Sequence, residues 1–159
     1  MYNWLVFLHI FFAFAFMLGH GAYAAAMLKF RGEPDPEQSL TFFNNLPSKN
    51  FGRYLYIAMG VFGFSASFIT GWWKQGWIWA SAVVLLVVTY VMYKYGAGYY
   101  YIISDAAKRL IDARKTNTNV EAAQKEFDEA RFTPHAMIVS VVGIVGLAVI
   151  LWLMRFKPF

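Results

Sequence analysis

The chain has 159 residues, which is enough for one domain, and 59% of them are hydrophobic while only 14% are charged. Soluble domains carry about 25% charged residues. A chain with 14% cannot cover this much apolar surface in water. The composition therefore predicts an integral membrane protein whose solvent is the lipid bilayer. The formal net charge of +5 comes from basic residues that flank apolar runs and form no single stripe, which argues against a nucleic-acid partner. The sequence has no cysteine, which excludes disulfides, thiol catalysis and cysteine-ligated metal centres.

Four long apolar runs predict four membrane-spanning helices, at residues 4–28, 54–73, 77–103 and 135–154. Each run has about 20 residues or more, the length that crosses about 30 Å of hydrocarbon at about 1.5 Å per residue. We therefore expect an all-α protein, a four-helix transmembrane bundle that forms a single domain, 1–159. No lysine or arginine precedes the first run, and the run is longer than the core of a signal peptide, so we expect it to be retained.

The lysines and arginines predict the orientation of these spans. Most of them lie in two segments, 29–53 and 104–133, whereas the turn between the second and third spans holds only Lys74. Because loops rich in lysine and arginine stay on the cytoplasmic side, both segments are predicted to be cytoplasmic and both termini to lie outside, an N-out/C-out topology. The aromatic residues agree, since all six tryptophans fall at the predicted outer ends of the spans and most tyrosines at the inner ends.

Short amphipathic helices are predicted in both cytoplasmic segments. In the first segment, Asp35 is expected to be the N-cap of a helix over Pro36–Asn45. In the second, residues 104–115 either continue the third span out of the membrane or restart as an amphipathic helix. After a polar break, Asn119 is expected to cap a helix over Val120–Arg131 that a Glu121–Lys125 pair stabilises.

Small residues recur at spacings of three and four along three of the predicted spans, which places them on one face of each helix. They are Ala15, Gly19, Ala22 and Ala26 in the first span, Gly60, Gly63, Ser67 and Gly71 in the second, and Ser140, Gly143 and Gly146 in the fourth. Helices in lipid associate by close approach at small side chains. These faces are therefore predicted to form the centre of a compact bundle, or alternatively one of them faces a partner subunit.

All nine carboxylates lie in the two cytoplasmic segments, and none lies in a predicted span. Proton relays and cation-coupled transporters keep an acid near the middle of the membrane, and hydrolysis by paired carboxylates needs acids that the spans lack. The sequence therefore argues against a pump and against an intramembrane hydrolase, and it favours a protein without catalytic residues of its own.

The three histidines are the candidate ligands in this sequence. His9 and His20 share a face of the first span but lie about 16 Å apart along its axis, too far to bind one metal ion. In a structural interpretation both hydrogen-bond across helices, while His135 lies at the headgroup level. In a functional interpretation His20 and His135 hold a b-type haem or a metal ion, and in a third His9 binds a cofactor shared with another subunit.

Lys94 is the one basic residue inside an apolar run. Its side chain is expected to snorkel to the headgroup level, and the functional alternative is that it binds a lipid phosphate or a quinone. The surrounding residues 93–101 are rich in tyrosine and include Gly96 and Gly98. They predict either a weakened helix among interfacial tyrosines or a small aromatic-lined site.

The chain resembles an uncharacterised family of bacterial four-span membrane proteins, itself distantly similar to the copper-resistance D-type membrane proteins. The resemblance lies in Leu8-His9 early in an apolar helix followed by Gly19, the basic stretch after the first span, the glycine-rich second span and the tryptophan that opens the third. It implies a protein of the bacterial plasma membrane, tied to haem or copper, with His9 as the matching histidine.

Three functions are consistent with these features. The first is a non-catalytic subunit or scaffold that binds other membrane proteins within a larger bacterial energy-transducing complex. The small-residue faces favour this function. The second is a b-type haem electron-transfer protein that uses His20 and His135. The third is transport of copper or of a small solute, which requires a polar path through the bundle.

Overall fold

The computed structural model describes residues 1–45 and 49–159, and the side chains of Phe42, Phe43 and Lys49 lie outside that description. The described residues form α1 (Tyr2–Phe30), α2 (Pro36–Asn44), α3 (Lys49–Thr70), a 3₁₀ turn (Trp72–Lys74), α4 (Gly76–Val91), a π-helix (Met92–Ala97), α5 (Gly98–Thr116), α6 (Val120–Arg131) and α7 (His135–Phe156). Since none of these residues belongs to a strand, the all-α prediction is confirmed for the described chain.

Three described helical stretches are long and apolar enough to cross a membrane, namely Tyr2–Phe30, Gly76–Thr116 and Val120–Phe156. They contain the predicted first, third and fourth spans, and they make the chain compatible with a membrane protein. The helix α3, with 22 residues, covers most of the predicted second span but is not one of these three. A fourth crossing, by α3, therefore stays a prediction.

The third predicted span continues beyond residue 103. The helix α4, the π-helix and α5 follow one another without a break, so residues 104–115 belong to the same helix as the third predicted span and do not restart as a separate one. The π-helix contains Lys94 and Gly96, within the segment where the sequence predicts a weakened helix. Its wider hydrogen-bonding pattern is uncommon and occurs mainly as single turns inside α-helices, often at functional sites.

The described residues group into two compact units. Of these residues, the first unit comprises 1–22, 49–88 and 144–159, and the second comprises 23–45 and 89–143. Both units draw on separate parts of the sequence, so each is held together by contacts between distant segments. The prediction of a single domain, 1–159, stays a prediction.

Within the first unit, helices pack closely at two glycines. A methyl group added to Gly63 in α3 would lie 2.7 Å from Nδ1 of His9 in α1. A methyl group added to Gly146 in α7 would overlap the side chain of Val88 in α4. Both glycines belong to the predicted small-residue faces, and both allow the close approach on which helix association in lipid depends.

A cluster of aromatic rings joins the end of α7 to the turn between α3 and α4. All six tryptophans of the chain belong to the first unit. The rings of Trp72 and Trp77 lie 5.8 Å apart, and Nζ of Lys157 lies 3.7 Å from the centroid of the Trp72 ring. The backbone N–H of Trp77 donates to the main-chain oxygen of Phe159 at 3.1 Å. These contacts hold residues 157–159 against the start of α4.

The core of the second unit lies between α5, α6 and the adjoining ends of α1 and α7. Its largest buried side chains are Tyr99, Phe30, Phe127, Ile103 and Leu110. Burying a side chain of this size stabilises a fold by about 1.5–3 kcal/mol, so this cluster fixes α6 against α5. Leu40 of α2 packs against the same cluster.

The predictions for the ends of the short helices α2 and α6 were partly right. The carboxylate of Asp35 accepts the backbone N–H of Glu37 at 3.0 Å, which confirms the predicted N-cap of α2. The bounds of α6 match the prediction, but Asn119 has a left-handed φ of 53° and makes no side-chain cap hydrogen bond, so its predicted role was wrong. Lys125 pairs with Glu129 at 4.0 Å and not with Glu121.

Candidate functional site

His9 contacts the main chain of a neighbouring helix in the first unit. Its Nδ1 lies 2.8 Å from the carbonyl oxygen of Met59 in α3, a hydrogen-bond distance between residues 50 positions apart. The imidazole lies directly against Gly63, which has no side chain to displace it. This is the contact that the structural interpretation of His9 predicts, because an imidazole in an apolar setting needs a hydrogen-bond partner.

His20 and His135, the candidate haem ligands, belong to different units. His20 is in the first unit, where its ring stacks on Phe16 with centroids 5.3 Å apart. Phe16 also contacts the ring of Tyr56 in α3 at 5.7 Å. His135 is in the second unit, as the first residue of α7. A haem held between these two histidines stays a prediction.

The imidazole of His135 has one nitrogen without a hydrogen bond. Its ring lies 5.4 Å from the ring of Tyr95, with the two planes tilted by 51°. Nδ1 is buried and has no hydrogen-bond partner among the described residues. Buried polar atoms are nearly always paired in folded proteins, because an unpaired one costs about 1–3 kcal/mol. His135 is therefore the histidine whose surroundings call for a further partner.

A cation lies next to the same tyrosine. Nζ of Lys94, in the π-helix, lies 5.5 Å from the centroid of the Tyr95 ring. Lys94 and His135 thus both contact Tyr95, and the three residues form what we call the π-helix site. The sequence had singled out Lys94 and His135 separately, and the π-helix brings them to one ring.

The buried arginine Arg131 was not among the residues that the sequence analysis selected. Its side chain is 9% exposed and pairs with the Asp128 carboxylate at 3.3 Å. Its guanidinium also lies over the ring of Phe127, and its carbonyl accepts the hydroxyl of Tyr99 at 3.3 Å. In the sequence Arg131 looks like one more basic residue of a polar segment, since nothing local signals that Tyr99 and Phe127 will enclose it.

No group of three or more histidine, cysteine, aspartate or glutamate side chains suited to a metal ion occurs among the described residues. No protein-family model, curated protein or solved structure matches the chain, so its resemblance to the bacterial four-span family stays a prediction.

Proposed function

We propose that this protein is a four-span subunit of the bacterial plasma membrane that packs against other membrane proteins in an energy-transducing complex and contributes no catalytic residues. In this proposal α3 is the second crossing, both termini lie outside, and residues 29–53 and 104–133 are cytoplasmic. Three membrane-length apolar stretches support the membrane location. The distribution of lysine and arginine supports the topology.

The observation that carries the subunit role is an uncovered set of glycines. A methyl group added at Gly19 in α1 or at Gly60 in α3 would meet no atom within 4 Å. By contrast Gly63, which is also in α3, packs tightly against His9. Lipid gives helices no hydrophobic drive to associate, so glycines matter where another backbone approaches. The open glycines therefore favour a helix of a partner subunit as their neighbour.

A substitution at Gly60 tests this role without disturbing the chain's own packing. We expect Gly60→Leu to fill the open space and to reduce the partner protein recovered with a tagged chain by about tenfold, which corresponds to about 1.4 kcal/mol of association free energy. The thermal midpoint of the purified variant should stay near the wild-type value, because a Cβ at this position meets no atom within 4 Å. Recovery is measured by native gel and mass spectrometry after extraction in mild detergent.

Val61→Leu is the matched control for this experiment. Val61 is the next residue of α3 and is 56% exposed, so a larger apolar side chain there should leave both recovery and thermal midpoint unchanged. The proposal is wrong if the wild-type chain, extracted under the mildest conditions, runs alone as a monomer. It is also wrong if Gly60→Leu and Val61→Leu retain equal amounts of partner.

The topology has a separate test, for which the chain is suited because it contains no cysteine. We expect Lys74→Cys, in the exposed turn after α3, to react with a membrane-impermeant maleimide in intact spheroplasts. Lys115→Cys, near the exposed end of α5, should react only after the membrane is permeabilised. If α3 does not cross, every later segment changes sides, so Lys115→Cys would be labelled from outside and Lys74→Cys protected.

The haem-b alternative rests on the half-buried imidazole of His135, in which Nδ1 is enclosed and Nε2 is the nitrogen that could bind iron. Neutral imidazole is a common axial ligand of haem iron, with His20 as the second ligand in this alternative. A Soret band in protein extracted from bacterial membranes, lost in both His20→Ala and His135→Ala, is its expected mark. If the pure wild-type protein has no Soret band, the haem-b alternative is wrong. Transport of copper or of a small solute stays a prediction without support beyond the sequence.

A further inference from the structure

The π-helix site combines an exposed positive charge with a half-buried imidazole. Nζ of Lys94 and the ring of His135 lie 5.5 and 5.4 Å from the same tyrosine ring, that of Tyr95. Nδ1 of His135 has no partner among the described residues, whereas the ring as a whole is only half-buried. Because Nδ1 itself is enclosed, a ligand reaches the imidazole at its other nitrogen, Nε2, on the exposed part of the ring.

The charges of the second unit near this site favour an anion. The buried arginine of the second unit, Arg131, is already paired with the carboxylate of Asp128. Lys94 is exposed and forms no ion pair with any described residue. The first turn of α7, which begins at His135, adds backbone N–H groups and the positive end of a helix dipole. The hydroxyl of Thr133 donates to the carbonyl of Ala130 at 3.2 Å, and it accepts no backbone N–H among the described residues.

The surface around the site is apolar and aromatic, which narrows the kind of anion. Tyr93 is 77% exposed, Tyr101 57% and Ile102 44%, and all three belong to the same continuous helix as Lys94. Amphipathic rings beside a lysine are typical of the boundary between hydrocarbon and headgroups. An anion that remains at this boundary and does not return to the aqueous phase needs an apolar tail. Phospholipids combine a phosphate with such tails.

We propose that Lys94 and His135 bind the phosphate of an anionic phospholipid headgroup. The lysine ammonium supplies charge, and the Nε2–H of His135 donates a hydrogen bond to a phosphate oxygen. Phosphate contacts of this kind are charge-assisted and stronger than neutral hydrogen bonds. The site does not depend on a partner subunit, so it is tested on the purified chain.

The test is to measure lipid binding by the purified wild-type chain, using native mass spectrometry in detergent. Phosphatidylglycerol should bind the wild-type chain in preference to phosphatidylcholine, which carries the same phosphate but no net charge. In Lys94→Gln, binding of phosphatidylglycerol should fall by about tenfold, as expected for loss of one charge-assisted contact. Lys94→Arg keeps the charge and should retain most of the binding. His135→Phe keeps a ring against Tyr95 and should also weaken binding.

Lys108→Gln is the matched control, because Lys108 is an exposed lysine of α5 and its loss changes the net charge equally. Equal losses in Lys94→Gln and Lys108→Gln would overturn the proposal, since they would indicate general charge attraction. Displacement of the lipid by millimolar inorganic phosphate would also overturn it, because the anion would then be soluble phosphate. A quinone or haem that co-purifies with the wild-type chain and is lost in His135→Phe would assign the site to that ligand instead. If Lys94→Gln does not fold, equal binding of phosphatidylglycerol and phosphatidylcholine by the wild-type chain still decides against the proposal.

Discussion

Replacing Gly63 by alanine is expected to destabilise the first unit by about 1–3 kcal/mol, the usual cost of forcing an extra carbon into a packed site. The added methyl group would lie 2.7 Å from Nδ1 of His9 and 2.8 Å from its Cε1, so the imidazole must move. Moving it breaks the hydrogen bond between His9 and the carbonyl of Met59. We would measure the loss as a lower midpoint of unfolding in a titration of detergent-solubilised protein with SDS.

Gly52→Ala is the control on the same helix. A methyl group there meets no atom within 4 Å, and alanine favours a helix over glycine by up to about 1 kcal/mol, so the midpoint should stay or rise. A double variant locates the clash: with His9→Ala in place, Gly63→Ala should cost much less than it does alone, because neighbouring substitutions are not additive. Equal costs with and without His9 would show that the imidazole is not the obstacle.

Helix positions were predictable where a local signal dominates. The caps and apolar runs place α2 and α6 to within a residue, because Asp35 can satisfy an N–H group at the start of a helix and a polar break separates α5 from α6. Asn119 shows the limit of this reasoning. Asparagine is favoured both as an N-cap and in the left-handed conformation, and the local sequence does not say which of the two the chain uses.

Contacts of the candidate site were predictable only in part. The face with Gly63 was foreseen from its spacing, but its neighbour His9 was not, since the two are more than 50 residues apart and the hydrogen-bond acceptor is a main-chain carbonyl that any residue could supply. Likewise Lys94 stood out as a basic residue inside an apolar run, and His135 as a histidine at the start of one. Their common contact with Tyr95 depends on a π-helix, which carries no strong sequence signal beyond Gly96 and Gly98.

The choice of ion-pair partner was also beyond the sequence. Lys125 has glutamates four residues before and after it, and both spacings suit a helix. The observed pair with Glu129 is exposed on both sides, and such pairs contribute about 0–1 kcal/mol. Either partner therefore leaves the fold unchanged, whereas the burial of Arg131 against Phe127 depends on tertiary packing that no local pattern encodes.

The contact between Gly146 and Val88 leads to the second large expected effect. A methyl group at Gly146 would overlap Cγ2 of Val88 and lie 3.5 Å from its Cβ. Valine is branched at Cβ and has one strongly preferred rotamer in a helix, so it cannot turn aside, and α4 and α7 must separate. We therefore expect Gly146→Ala to destabilise the first unit by about 1–3 kcal/mol.

Gly143, one turn earlier on α7, provides the comparison that gives this prediction its meaning. A methyl group at Gly143 meets only Cε of Met92, the far end of a flexible side chain. Methionine has three rotatable bonds and can move its terminal methyl group at little cost. Gly143→Ala should therefore leave the midpoint of unfolding in SDS near the wild-type value, while Gly146→Ala lowers it. The double variant Gly146→Ala/Val88→Ala should recover most of the loss, because it returns the space that the new methyl group takes. If both single variants lower the midpoint equally, the rigidity of Val88 is not what makes glycine necessary at position 146.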